Sequence, residues 1–228
     1  PDAMEEAWKL FRKTAYSSLY SYPRFTWQTV VPDQRRISKI DLSDDYLQAI
    51  RLYAGCADEL KSSELYRNDL IEFVSYYVAA KAENFYKQAL KDDSENRVLA
   101  AQRNLQQTVD LLMDVDRLLA SHPLYRLEEW VELARNSGTT LQEKDAYEAN
   151  AKRLITSWGG IQEDYAARFW SGLIKDYYIP RIQLYFTKDR NKIREWEEQW
   201  ITSPWSNSTT PFDDPVKAAL SLIEKTNK

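Results

Sequence analysis

SELYRNDLIEFVSYYVAAKAENFYKQALKDDSENRVLAAQRNLQQTVDLLMDVDRLL, residues 63–119, sits in a stretch from Cys56 to His122 that contains neither glycine nor proline. Its apolar residues step by three and four. Tyr66, Leu70, Val74, Tyr77, Val78, Ala82, Phe85 and Ala89 form one face of a long helix. Val98, Ala101, Leu105, Val109, Leu112, Val115 and Leu119 form the face of a second. Ser63 is placed to cap the first helix, and Glu64 suits its first turn. Only Asp92-Asp93-Ser94 separates the two patterns, and so short a connection makes the helices antiparallel neighbours.

Working outward, the same period appears almost everywhere. Ala7, Leu10, Phe11 and Ala15 share a face in a helix over about 3–19, and Ser43 opens another with Tyr46, Leu47, Ile50, Tyr53 and Ala54 inward. A short helix from Arg126 to Asn136 stops at Ser137-Gly138. Thr140-Leu141-Gln142-Glu143 is a capping box for a helix that runs to Trp158 and ends at Gly159-Gly160. Further helix is expected over about 163–178, interrupted or kinked by Pro180 and continuing to about Gln199. Asp213-Asp214-Pro215 opens a tail helix. Two segments lack the period: 21–42, with Pro23, Pro32 and the β-favouring run Phe25 to Val31, and 202–210 around Pro204 and Trp205. The expectation is one all-α domain over 1–228, an antiparallel multi-helix bundle with one long irregular loop near the N-terminus.

Composition narrows the function. With 228 residues, 43% hydrophobic and 29% charged, the chain is long enough for a substantial core. The formal net charge is −4 with no basic block, so nucleic acid is not an expected partner. No apolar run reaches the ~20 residues of a membrane span. The residues after Pro1 carry no basic segment with an apolar run behind it, so no leader is expected in them, and the chain reads as part of something longer. One cysteine and one histidine exclude the usual zinc sites, and no Glu-x-x-His or phosphate-binding glycine loop is present; no cofactor or metal is expected. Cys56 reads as a packed thiol and His122, before Pro123, as a surface or cap residue. The adjacent acids Glu128-Glu129, Glu163-Asp164 and Glu197-Glu198 read as solvated faces, because neighbours on a helix point in different directions.

Scarce glycine (five residues) makes position matter: two of the five follow Trp158 directly, in Ser157-Trp158-Gly159-Gly160-Ile161-Gln162-Glu163-Asp164-Tyr165-Ala166. On spacing alone this is a glycine helix stop with a buried tryptophan. Alternatively, the glycines let a ligand approach while Trp158 presents a flat face of the kind that packs on sugar C–H groups.

This segment, with Ser171-Gly172-Leu173, Asp176-Tyr177-Tyr178 and Pro180-Arg181, resembles the C-terminal helical region of glycoside hydrolase family 89, the alpha-N-acetylglucosaminidases. Glu6-Ala7-Trp8, Tyr66-Arg67-Asn68-Asp69-Leu70, Leu118-Leu119-Ala120, Trp130 to Arg135, Tyr147 to Ala151 and Arg153 are similar to that family in the same order. The resemblance implies the helical third part of a retaining exo-enzyme that removes terminal α-linked N-acetylglucosamine from glycans. The chain would pack on a catalytic barrel of the same parent chain, which would hold both catalytic glutamates, so no residue here is expected to be catalytic. It further implies that Trp158 packs on the sugar ring, that Tyr165 hydrogen-bonds a hydroxyl or positions a neighbour, and that Gly159 and Gln162 lie at the same sugar site. Arg24 and Trp27 of the irregular segment are further candidates to face it. Members are secreted or periplasmic in bacteria and lysosomal in animals. The competing readings are a freestanding helical glycan- or protein-binding module and a purely bracing domain; the last predicts a buried Trp158.

Overall fold

A computed structural model describes residues 2–17, 24–29, 43–158, 164–206 and 208–226. Among them are ten α-helices and no strand. These are α1 (Asp2–Lys13), α2 (Asp44–Ala54), α3 (Ala57–Leu60), α4 (Glu64–Ser94), α5 (Val98–Leu119), α6 (Leu127–Asn136), α7 (Leu141–Leu154), α8 (Ile179–Tyr185), α9 (Arg190–Thr202) and α10 (Pro215–Lys225). A 3-10 turn (Thr26–Gln28) stands in the irregular segment, and a π-helical segment (Ile174–Tyr178) leads into α8.

α4 and α5 are the spine. They pack along most of their length, with Thr108 over Ala82 and Asn104 bonded to Asp92, so they run antiparallel. α4 extends through Asp92-Asp93-Ser94, and the reversal falls on Glu95-Asn96-Arg97, where Asn96 takes the left-handed conformation at φ 59°. Asparagine tolerates that region better than most side chains. Besides the expected stripe, α4 buries Ile71, Phe73 and Tyr86, because α2 and α10 cover it on sides that α5 leaves open. Phe85 and Val98, expected inward, are exposed, as is Ala15, which lies past the end of α1. α1 stacks on α2, and α6 pairs with α7, which also meets α9. Ser43, Ser63, Thr140 and Asp214 cap α2, α4, α7 and α10 through their side chains, as expected.

Among the described residues of the first irregular segment there is no β-strand. Its described part, residues 24–29, is a 3-10 turn tied to the spine by Glu83, which accepts from the Thr26 N–H at 2.8 Å and from the Thr26 hydroxyl. Phe25 and Trp27 stack at 4.9 Å and are buried. Full burial of such rings stabilises by about 1.5–3 kcal/mol each.

The expected helix over 163–178 begins late. Residues 164–170 have no regular structure, and helical turns start only near Leu173. Asp116 of α5 sets that start: its buried carboxylate accepts from the Gly172 N–H at 2.8 Å, the Lys175 N–H at 3.0 Å and the Thr209 hydroxyl at 2.6 Å. Pro180 does not break the helix. It lacks an N–H and its ring crowds the carbonyl four residues back, and the wider π turn just before it absorbs both defects. The continuation toward Gln199 is split at Lys188, which has φ 63°. Cys56 is buried, as read. His122 is also buried rather than at the surface, its Nδ1 accepting the Leu124 N–H at 3.1 Å.

Gly172 occupies φ 83°, and a Cβ there would meet the Leu127 Cβ and the Trp205 ring, each at 3.2 Å. Gly172→Ala is therefore expected to destabilise the fold by about 1–3 kcal/mol, from backbone strain plus overpacking. Urea titration followed by far-ultraviolet circular dichroism measures it; an unchanged midpoint would show that the helix start can shift.

Candidate functional site

α7 ends at Leu154, and the chain turns through Ile155 to Trp158. Trp158 closes this turn with its N–H on the Arg153 carbonyl at 2.7 Å and φ 60°. For a bulky L-residue that conformation costs about 1–2 kcal/mol. Such strain persists only where the surroundings impose it, and it concentrates at functional sites. Gly159 and Gln162 lie outside the described residues. Where description resumes, the Tyr165 N–H bonds the Thr156 carbonyl at 2.8 Å. The Trp158 and Tyr165 rings then sit 5.1 Å apart at 31°. Trp158 is 51% exposed and Tyr165 56%, so the structure sets aside the buried tryptophan that a bracing role required.

What fixes Tyr165 is its neighbour. The Asp164 carboxylate pairs with Arg24 at 2.8 Å and with Arg181 at 3.6 Å, and the Asp164 carbonyl accepts from Arg24 at 2.9 Å. Both guanidiniums also donate to the Gln28 carbonyl, at 2.9 Å from Arg24 and 2.5 Å from Arg181. Arg181 goes on to the Tyr177 hydroxyl and Glu197 at 2.9 and 3.1 Å. Downstream, Gln28 Nε2 reaches the Ala167 carbonyl at 3.4 Å and the Tyr178 hydroxyl the Arg168 carbonyl at 3.0 Å. Two acids read as solvated, Asp164 and Glu197, are thus largely enclosed, with side chains 22% and 14% exposed. Glu197 points inward, whereas its neighbour Glu198 points outward to Arg153.

Trp158 and Tyr165 open onto a groove of about 510 Å³ whose walls include Phe25, Tyr76, Phe169 and Gln28, within the ~300–1,000 Å³ of small-ligand sites. The irregular segment therefore does reach this groove, but through Phe25 and Gln28. Trp27 is core, and Arg24 acts from behind by holding Asp164. Sequence reasoning missed Glu72 and Tyr125, which also line the groove. Burial pushes the Glu72 carboxyl above the usual carboxylate range; the Tyr125 hydroxyl opposes this by hydrogen bonding, and Asp69 one turn away adds to it. Burial and the facing Glu72 raise the Tyr125 hydroxyl in turn. Nothing in the spacing of α4 distinguishes Glu72 from an ordinary acid on a helix flank.

Residues 1–225 match the family described as the alpha-N-acetylglucosaminidase (NAGLU) C-terminal domain. The chain belongs to that family. Human alpha-N-acetylglucosaminidase is 31% identical over 144 residues, which are 62% of this chain and 19% of that protein. A family 89 glycoside hydrolase from Clostridium perfringens, solved with PUGNAc, superimposes with a TM-score of 0.83 at 21% identity, over 97% of this chain and 29% of that one. A doubly substituted variant of that enzyme, in complex with its substrate GlcNAc-alpha-1,4-galactose, gives 0.82 at 20% identity, over 98% and 29%. The chain thus spans about a fifth of the human relative and under a third of the bacterial one. As a C-terminal domain of this family, it corresponds to one part of a larger glycoside hydrolase chain.

Because the folded-state pKa of Glu72 is raised, the charged form is disfavoured in the fold. Its contribution to stability is full below the unfolded carboxyl pKa and declines as pH rises through the folded one. Glu72→Gln is therefore expected to melt above the parent protein at pH 7, with the gap closing as pH falls below the carboxylate range. Thermal melts across pH 3–8 check it; a gap that is absent or widens toward low pH contradicts the assignment.

Proposed function

We propose that this chain forms one wall of the sugar pocket of an exo-acting alpha-N-acetylglucosaminidase, packing on a catalytic barrel of the same parent chain and performing no hydrolysis alone. The observation that carries this reading is the exposed Trp158–Tyr165 pair, held on a strained turn above an aromatic groove. An aromatic face packs on the C–H groups of a pyranose, while a phenol hydroxyl meets its O–H groups. The Trp158 indole N–H and the Tyr165 hydroxyl have no protein partner among the described residues, which leaves both for a ligand. Glycoside hydrolysis uses two carboxyl groups facing each other across the bond. The described lining of this groove supplies one, Glu72. Family membership supports terminal α-linked N-acetylglucosamine as the sugar, and the name of the human relative and the substrate bound to the bacterial enzyme agree.

In the full-length protein, Trp158→Ala is expected to lower kcat/KM on an aryl α-N-acetylglucosaminide by about tenfold, equivalent to about 1.4 kcal/mol of lost transition-state binding. Trp158→Phe is expected to retain most of it. The variant's melting temperature should not fall, since the left-handed strain is no larger for alanine. Unchanged kcat/KM in Trp158→Ala, or hydrolysis by the 228-residue chain alone, overturns the reading. Saturable sugar binding by that chain alone, with no effect of Trp158→Ala on hydrolysis, indicates a freestanding glycan-binding module instead.

A further inference from the structure

We propose that the cleft lined by Trp196, Trp200 and Trp205 is a second carbohydrate site, separate from the groove at Trp158, and that it holds one neutral pyranose ring. The binding stands on the cleft itself; only its benefit to hydrolysis rests on the function proposed above.

α9 and the irregular segment after it place three of the chain's eight tryptophans within residues 196–205. All three are half-buried, and they line a cleft of about 250 Å³ together with Asp176, Ser203 and Ser206. No residue that lines this cleft lines the groove at Trp158. Trp196 and Trp200 are one turn apart on α9 and so share a side of it. Both lie against the Tyr177 ring, at 5.6 and 4.8 Å between centroids. Tyr177 is itself buried, its hydroxyl held by Glu197 at 2.7 Å and by Arg181 at 2.9 Å. Trp205 is fixed by its indole N–H on Asp176 at 3.0 Å and its backbone N–H on Glu148 at 2.5 Å. The rings are therefore in place before a ligand arrives, which lowers the cost of binding.

The polar groups of the cleft select the ligand. The Asp176 side chain is 15% exposed and spends one oxygen on Trp205; the other is 3.9 Å from the Lys175 ammonium, too far for a hydrogen bond. The Ser203 and Ser206 hydroxyls and the Trp196 and Trp200 indole N–H groups make no hydrogen bond among the described residues. An anion brought here meets the Asp176 carboxylate. A cation meets Lys175 and also Lys152, whose ammonium already stands 5.0 Å over the Trp200 ring. A wholly apolar ligand strips water from the carboxylate without replacing its hydrogen bonds. A neutral pyranose answers all of these groups: its C–H face covers an indole while its hydroxyls donate to Asp176 and pair with the serines. The volume lies below the ~300–1,000 Å³ of drug-sized sites, so the cleft takes one ring and not a length of chain. Two sugar sites on one protein make the second contact with a glycan intramolecular, which raises the local concentration of substrate at the first.

The test labels the full-length protein with 5-fluorotryptophan and follows its fluorine NMR spectrum, with Trp196→Phe and Trp200→Phe assigning the two resonances. Methyl β-N-acetylglucosaminide and methyl β-galactoside are the neutral probes, and tetramethylammonium chloride is the cationic one. At least one glycoside is expected to shift both resonances saturably, with a Kd of about 1–10 mM. Trp196→Ala, read at Trp200, should raise that Kd about tenfold. Asp176→Asn keeps an oxygen for Trp205 but loses the charged acceptor, and should raise it about threefold. Near-ultraviolet circular dichroism establishes that each variant is folded, and if Trp196→Ala is not, Asp176→Asn decides. Trp158→Ala should leave both shifts as they are. No saturable shift from either glycoside overturns the proposal, and so does a Kd unmoved in Asp176→Asn. Saturation by tetramethylammonium alone marks a cation cage and overturns it too. Shifts that vanish in Trp158→Ala belong to the first groove and leave this cleft without a ligand. The reading of the Trp158 groove falls separately, on the kcat/KM of Trp158→Ala.

Discussion

Asp164 sits between two guanidiniums, and the candidate site depends on that arrangement. Burying ions is expensive, and the cost is recovered only when geometry is good and the remaining donors and acceptors are filled. Here Arg24 and Arg181 each reach both Asp164 and the Gln28 carbonyl, although the Nε of each is buried without a partner among the described residues. The cluster thereby clamps three pieces of chain that have no regular pairing with one another: the 3-10 turn, the unwound residues 164–170 and the helix through Arg181. Tyr165 follows Asp164 directly, and Phe25 and Gln28 flank the same clamp. The groove walls are thus consequences of one ionic contact as much as of apolar packing.

The helical spine was legible because it obeys a single rule. α4 and α5 bury regular stripes and contain no breaker, and Ser63 caps α4 as expected, so periodicity alone places them. The failures share a different cause. Asp164 to Trp170 has acceptable helix-forming residues, yet its carbonyls at 164, 167 and 168 are taken by Arg24, Gln28 and Tyr178. Tertiary partners outbid the local ladder there, and no window of sequence contains those partners. Glu197 and Glu198 show the limit of a correct rule: adjacent helical acids do point apart, but one of the two directions leads inside. Trp158, singled out by its glycines, is exposed on the wall of the groove. Glu72 went unnoticed because Tyr125, whose hydroxyl bonds to it, lies more than fifty positions along the chain.

Several of the residues that carry the family resemblance turn out to be scaffold. Gly172 is required by its backbone angle and by the Trp205 ring, and Asp176 bonds the indole N–H of the same Trp205 at 3.0 Å. Glu148 and Lys152 form a buried pair at 3.0 Å; Glu148 also takes the Trp205 N–H, and Lys152 donates to the carbonyls of Trp200 and Ser203. Trp130 spans from α6 to the Ala151 carbonyl on α7. These contacts fasten the second irregular segment and α9 against α7, just behind the turn that ends in Trp158. A motif shared with an enzyme family need not touch substrate; here much of it holds still the few residues that face the groove.

The clamp also has a consequence in time. α4 and α5 are joined by a tight turn and can pair as soon as both have been made. The bonds that orient Tyr165 link residues 140 and 153 positions apart, Arg24 to Asp164 and Arg181 to Gln28. Closing such long loops costs entropy that only an already compact chain can recover. The groove is therefore completed only after Arg181 and Glu197 have emerged during synthesis, well after α4 and α5 are able to pair.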